Sequence, residues 1–176
     1  NTEVTIWGWA NPQEEVVITP SWSNETYKIK ASNQAQWEIK IPTPKEGGPY
    51  TITIKGYNEL VLKNILIGEV WICSGQSNME MNAGWGITNG DEAVKNATNT
   101  TIRFFSIPKL TASTTQNNLS GTWTTCTPET MKYFSAVGYF FGQRLQEELK
   151  NVPIGLISSN WGGTPAEIWM PEEVIQ

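Results

Sequence analysis

Ser77 lies where a chain can present a nucleophile. A run rich in Val, Ile and Leu, residues 62–73, predicts a buried strand, and the turn signal Ser74-Gly75 ends it. Ser77 then begins a helix-like stretch, so its hydroxyl is expected between the carboxyl end of a strand and the amino end of a helix. There a serine can attack a carbonyl carbon while its own N–H helps to hold the oxyanion that forms. The same position also suits a serine that only caps the helix.

Two sequence blocks resemble those of a known esterase family. Residues 75–79 read Gly-Gln-Ser-Asn-Met, which departs from the Gly-x-Ser-x-Gly elbow because Met79 replaces the second glycine. Residues 161–165 read Trp-Gly-Gly-Thr-Pro. Together they closely resemble the SGNH-type carbohydrate esterases, in particular the sialate O-acetylesterase family, and the resemblance runs along almost the whole chain. It implies that Ser77 is the nucleophile and that the N–H groups of Ser77 and Gly163 stabilise the oxyanion.

The elements around the two blocks follow the order of a parallel α/β sheet. Buried strands are predicted at residues 67–74, 102–107 and 153–159, and a helix is predicted from Thr127, with Pro128 in its first turn. The apolar face of that helix is expected to contain Phe134, Val137, Phe141, Leu145 and Leu149, while Gly138 and Gly142 let it approach the sheet closely. Both blocks then follow strand ends at one edge of the sheet, where open α/β sheets bind ligands.

Residues 1–65 predict a separate domain. Short alternating stretches recur near residues 4–6, 16–19, 27–31, 37–41 and 50–54, which is typical of an antiparallel sandwich. We expect a domain that packs against and supports the enzyme, with a sugar-binding module as the alternative. The predicted fold class is therefore α/β. An N-terminal antiparallel β-sandwich, residues 1–65, is followed by the first part of an SGNH-hydrolase-like (flavodoxin-like) parallel α/β/α sheet, residues 66–176.

The sequence contains no histidine, although a serine hydrolase normally uses that base to accept the hydroxyl proton. The family that the chain resembles carries a Gln-Gly-Glu block and then an Asp/His pair downstream of its Trp-Gly-Gly-Thr block, and this chain ends at Gln176. We therefore expect the amino-terminal part of a longer esterase, whose carboxy-terminal remainder is the partner that carries the Asp/His pair. A lysine base is less favoured, because no lysine lies in or near either block.

The composition argues against several other functions. The 12 basic and 17 acidic residues give a net charge of -5, which disfavours a nucleic-acid partner held through phosphates. No apolar run reaches membrane-spanning length, so no membrane partner is expected. The sequence has no Cys/His metal-ligand spacing and no phosphate-binding glycine motif, so neither a metal nor an organic cofactor is implied. Cys73 and Cys126 are either buried thiols or one disulfide bridge.

The leading function is an esterase that removes O-acetyl groups from a sialic acid or a related acetylated sugar. Trp85 and Trp161 lie near the blocks and are candidates for lining the sugar site, and the polar residues 82–101 are expected to form a loop beside Ser77. The alternative within the class is deacetylation of a plant polysaccharide such as acetylated xylan. The alternative outside it is a non-catalytic carbohydrate-binding protein. The resemblance also implies an extracytoplasmic location, which is secreted, periplasmic or lysosomal.

Overall fold

The computed structural model describes residues 2–175, apart from the side chain of Glu172. The chain forms two compact units, of which the N-terminal unit ends at Ile67 and the C-terminal unit begins at Gly68. Among the residues that the structure describes, no helix is long and apolar enough to cross a membrane.

The N-terminal unit is an antiparallel β-sandwich of two sheets. Its strands are β1 (Glu3–Trp9), β2 (Glu15–Pro20), β3 (Tyr27–Lys30), β4 (Gln36–Pro42), β5 (Gly47–Lys55) and β6 (Glu59–Ile67). The strands β1 and β4 pair with each other, and the other four form a sheet in the order β3-β2-β5-β6. Inward residues of both sheets meet in one core, which includes Ile18, Trp37, Ile41 and Ile52. The predicted sandwich is therefore confirmed. Its physical cause is that apolar residues alternate along the strands, which gives each sheet one face to bury.

The C-terminal unit is built on a four-stranded mixed sheet. Its strands are β7 (Glu69–Gly75), β8 (Ile102–Ser106), β9 (Thr124–Thr125) and β10 (Ile154–Asn160), and their order in the sheet is β7-β10-β8-β9. Strands β7, β10 and β8 are parallel to one another, and the two-residue β9 pairs antiparallel with β8. The helices are α1 (Ser77–Glu80), α2 (Gly90–Asn96), α3 (Pro128–Met131), α4 (Ala136–Glu148) and α5 (Glu172–Ile175), with 3₁₀ turns at Ala83–Trp85 and Ala166–Trp169. The predicted α/β fold class is confirmed.

One face of this sheet is buried beneath helices. Ile102, Phe104 and Leu156 of the sheet join Met131 and Tyr139 of α3 and α4 in a single core. Helix α4 approaches closely at Gly142, where a Cβ atom would lie 2.7 Å from Leu156 Cδ1. The glycine at position 138 acts in the same way, because a Cβ there would lie 2.8 Å from Cys73 Sγ. The expected role of both helical glycines is therefore confirmed.

The apolar run at residues 62–73 was predicted as one buried strand, and this prediction is wrong in two respects. The run is divided at Gly68, so its first part belongs to β6 and its second part to β7. Gly68 has no room for a side chain, because a Cβ atom there would collide with the carbonyl of Pro153. The strand β7 also lies at the edge of its sheet, and Val70 and Ile72 on it are 61% and 68% exposed.

The helix predicted from Thr127 onwards is interrupted in the structure. It begins as predicted, with Thr127 capping α3 and Pro128 in the first turn. The chain then leaves the helical path, because Phe134 stacks on Phe104 and Ser135 caps a new helix, α4. The predicted apolar face is correct only in part, because Phe134 is buried and Leu145 packs against the same core, whereas the other three predicted residues are exposed.

On α4 the buried positions include Tyr139, Gly142 and Gln146, while Val137 and Phe141 are exposed. The face of α4 that carries Gly138 and Gly142 is the one that can approach the sheet closely. This close approach determines which face of the helix is buried.

Two smaller expectations concern the same unit. Residues 82–101 were predicted as a loop, but they contain α2 and a 3₁₀ turn. Cys73 and Cys126 are both free and buried, which excludes the bridge between them. Burial raises the pKa of each thiol.

Candidate active site

Ser77 lies immediately after a sharp turn at the end of β7. Gly75 ends the strand with a φ of 145°, a conformation that favours glycine. Helix α1 begins at Ser77, and its N-cap residue is Gln76. The alternative in which Ser77 serves only as the cap is therefore wrong. The hydroxyl of Ser77 instead donates a hydrogen bond of 2.9 Å to the Gln76 side-chain oxygen.

The second block follows the strand next to β7, as the sequence predicts. Gly75 and Asn160 are paired where the parallel strands β7 and β10 both end. Just beyond this pair, the Trp161 N–H donates a 3.0 Å hydrogen bond to the carbonyl of Gly75. The two blocks therefore meet at one edge of the sheet.

Gly162 and Gly163 form the part of the second block that approaches the serine. A Cβ atom on Gly162 would lie 3.4 Å from both Cα and Cβ of Ser77, so the loop backbone passes directly beside the candidate nucleophile. Gly163 has a φ of 79°, and nothing lies within 4 Å of a Cβ atom built on it. Within residues 2–175, the N–H groups of Ser77 and Gly163 donate no hydrogen bond. Both remain available to an incoming oxygen atom, which is what an oxyanion donor requires.

The carboxylate of Glu80 joins the two blocks, and sequence reasoning did not find it. Glu80 lies at the end of α1, and its Oε2 accepts a hydrogen bond from the Gly162 N–H. Its Oε1 forms an ion pair with Lys109. The ammonium group of Lys109, followed by the Gly162 N–H, lowers the pKa of Glu80 below its ordinary value of 4.5. The only sequence signal for this contact is an acidic residue directly after Met79, which by itself does not identify a partner 82 residues away.

Further hydrogen bonds fix the two blocks in place. The Asn160 side chain donates to the Met79 carbonyl at 3.4 Å and to Ser158 Oγ at 2.6 Å. In the second block, Thr164 Oγ1 donates to the Trp161 carbonyl at 2.6 Å and accepts from the Trp169 indole at 2.9 Å. These contacts give the loop after β10 a defined path.

The two tryptophans that lie near the blocks in the sequence expose apolar surface. Trp85 is 56% exposed and Trp161 is 36% exposed, so both predicted sugar-lining residues present indole surface to solvent. Aromatic rings of this kind combine a large apolar area with a polar N–H. Over the part of the chain that the structure describes, no three His, Cys, Asp or Glu side chains come together as metal ligands.

The arrangement holds a hydroxyl and two free backbone donors, but the partner of the hydroxyl is not a base. Gln76 offers an uncharged amide oxygen to Ser77, and an amide does not accept a proton at neutral pH as an imidazole does. The geometry can therefore place a serine against a carbonyl group and stabilise the resulting oxyanion. Activation of Ser77 requires a further group.

The C-terminal unit is thus an α/β fold whose candidate site lies where Ser77, after β7, meets the glycine loop after the neighbouring strand β10. The chain belongs to the family described as "Carbohydrate esterase, sialic acid-specific acetylesterase", which matches residues 67–175. This membership confirms the resemblance drawn from the two blocks.

Individual relatives agree with the family. Sialate O-acetylesterase of Homo sapiens is 33% identical over 93% of this chain, and that of Rattus norvegicus is 31% identical over 97%. A crystal structure of a carbohydrate acetylesterase from Xanthomonas citri is similar over 98% of this chain, with a TM-score of 0.92 and 33% identity. The chain spans 34% of the length of each of these two relatives and 40% of the crystallised protein.

Proposed function

We propose that this chain carries the nucleophile and the oxyanion donors of a carboxylic ester hydrolase that removes O-acetyl groups from sialic acids or related acetylated sugars. Ser77 Oγ attacks the acetyl carbonyl carbon, and the N–H groups of Ser77 and Gly163 hold the tetrahedral oxyanion. The sugar hydroxyl leaves, and water then releases acetate from the acetylated serine. The observation that carries this proposal is the Gly162 backbone lying against Ser77.

The base that activates Ser77 is proposed to be a histidine, supported by an aspartate, from polypeptide outside these 176 residues. Three observations support this: the sequence contains no histidine, the relatives are about three times as long, and β7 leaves its outer edge unpaired within the described residues. The apolar side chains of Val70 and Ile72 at that edge are exposed. The carboxy-terminal remainder of the same protein is the segment that would cover them.

The preferred substrate is proposed to be an acetylated sialic acid rather than acetylated xylan. The names of the relatives and of the family support this choice, and Trp85 and Trp161 offer aromatic surface on which a sugar ring can pack. Specificity constants measured side by side on the two substrates test it. A large advantage for acetylated xylan would overturn the choice. Family membership also supports the proposed extracytoplasmic location.

The decisive experiment replaces Ser77 in the whole protein. Ser77→Ala should abolish acetate release from a chromogenic acetyl ester while folding is unchanged, because no other hydroxyl occupies the turn after β7. Ser74→Ala is the matched control, since Ser74 is an exposed serine three residues earlier, on β7. Near-normal turnover by Ser77→Ala would show that the assignment is wrong. A whole protein that binds acetylated sugar and releases no acetate would favour the non-catalytic alternative.

A further inference from the structure

The contact between Glu80 and Gly162 has no place in the proposed reaction steps, although it lies beside Ser77. Glu80 directly follows Met79 on the same short helix as Ser77, and its side chain is 21% exposed. It reaches across to the loop after β10 and accepts the Gly162 N–H. Lys109, which lies after β8, holds the second carboxylate oxygen. Three separate segments therefore meet at one carboxylate.

The loop that Glu80 contacts needs an external restraint. Gly162 and Gly163 are consecutive glycines, and glycine has the greatest backbone freedom of any residue. A hydrogen bond from an N–H group to a carboxylate is roughly twice as strong as one between neutral groups. A side chain at position 162 would disturb this contact, because a Cβ atom there would lie 2.5 Å from Glu80 Oε2, although it would make only an ordinary contact of 3.4 Å with Ser77. The carboxylate thus fixes the direction of the Gly162 N–H, and with it the start of the peptide that carries the Gly163 N–H.

We propose that Glu80 is a positioning residue, which holds the Gly162 and Gly163 backbone at the separation from Ser77 that the oxyanion requires. This inference rests on the proposed function. Glu80 acts through Gly162 and does not touch the acetyl group. Lys109 has a second role in the same contact, because a bare carboxylate close to a developing oxyanion would repel it. The ammonium group offsets that charge and keeps the carboxylate directed at Gly162.

The kinetic test uses the whole protein and counts active sites with a covalent serine-directed label. Glu80→Ala should lower kcat by about 10- to 100-fold with KM nearly unchanged, because a misplaced oxyanion donor weakens only transition-state binding. Glu80→Gln should recover part of the loss, since its amide oxygen can still accept the Gly162 N–H. Lys109→Met should lower kcat by about tenfold. Glu92→Ala and Lys95→Met, both exposed on α2, are the matched controls.

A second measurement does not depend on activity. Amide hydrogen exchange at Gly162, followed by NMR in protein labelled at glycine, should be faster in Glu80→Ala than in the wild-type protein and intermediate in Glu80→Gln. A wild-type protein without esterase activity would overturn the proposed function. An active wild-type protein, with unchanged kcat and unchanged Gly162 exchange in Glu80→Ala, would overturn this inference alone. A loss of activity that matches a loss of labelled sites would also overturn it, because that pattern describes unfolding.

Discussion

Replacing Gly163 by alanine tests the backbone conformation of the loop without disturbing its packing. The φ of 79° at Gly163 is one that an alanine adopts only with strain. Nothing lies within 4 Å of a Cβ atom built there, so the added methyl group meets no steric obstacle. Any effect of Gly163→Ala must therefore come from the conformation of the backbone.

The size of the effect follows from that strain. A left-handed conformation costs a residue with a Cβ atom about 1–2 kcal/mol. If the loop relaxes to avoid this cost, the original conformation of the loop lies about 1–2 kcal/mol above the relaxed one. That difference leaves the original conformation, with the Gly163 N–H correctly placed, in about one molecule in 5 to 30. We therefore expect kcat to fall by about 5- to 30-fold. The free energy of unfolding should change by less than about 1 kcal/mol, because relaxation removes most of the strain.

The assay is hydrolysis of a chromogenic acetyl ester, together with denaturant unfolding of the same preparations. Gly86→Ala is the matched control, because Gly86 has a φ of 82° and likewise has nothing within 4 Å of a built Cβ atom. It ends the 3₁₀ turn at Ala83–Trp85 and should retain wild-type kcat. If the two variants lose kcat equally, or if Gly163→Ala retains full kcat, the assignment of Gly163 as an oxyanion donor is refuted.

Two further predictions concern stability. Glu14 is buried and accepts hydrogen bonds from the Tyr57 N–H and from the backbone and side chain of Asn11, which lower its pKa below 4.5. Because the folded-state pKa is the lower one, ionised Glu14 stabilises the protein above pH 4.5, and this contribution is lost as the pH falls through the folded-state pKa. Urea unfolding should therefore show that Glu14→Gln is less stable than the wild type at neutral pH, and that this difference in stability closes in acid. A difference that is independent of pH would contradict the reasoning. The control is Glu59→Gln, at an exposed position. Gly142→Ala should destabilise the protein by about 1–2 kcal/mol, because overpacking against Leu156 outweighs the gain of about 1 kcal/mol in helix propensity. Leu156→Val should reduce that loss in the double variant, and strictly additive losses would show that the two side chains do not meet.

The sequence predicts most strands, because each has a face that alternates or a run that is apolar. It places the boundary between the two units near residue 66, close to the observed division at Gly68, but it also favours one strand over residues 62–73, because the apolar residues resume directly after Gly68 and Glu69. It also misjudges α4, where helical spacing points to Val137 and Phe141 as the buried face. The glycines decide that question, because only their side of the helix can approach the sheet. A pattern of apolar residues carries no information about how closely two elements approach.

The candidate site likewise has a part that the sequence predicts and a part that it does not. Ser77 and Gly163 lie in recognisable blocks, each after a strand, and the parallel order of the strands brings the blocks to one edge. The contact between Glu80, Gly162 and Lys109 cannot be predicted, because it joins three segments that are distant in the chain. Its partners become evident only when the positions of the loops are known.

The strand order β7-β10-β8 has a consequence for how the C-terminal unit folds. The central strand is the last of the four in the sequence, so β7 and β8 have no parallel partner until β10 arrives between them. On a ribosome, the turn that bears Ser77 is synthesised long before the strand that fixes it. Contacts over such separations carry a large loop-closure entropy and slow the folding of a domain. The parallel sheet and the pairing of the serine turn with its glycine loop should therefore form together, in a single late step.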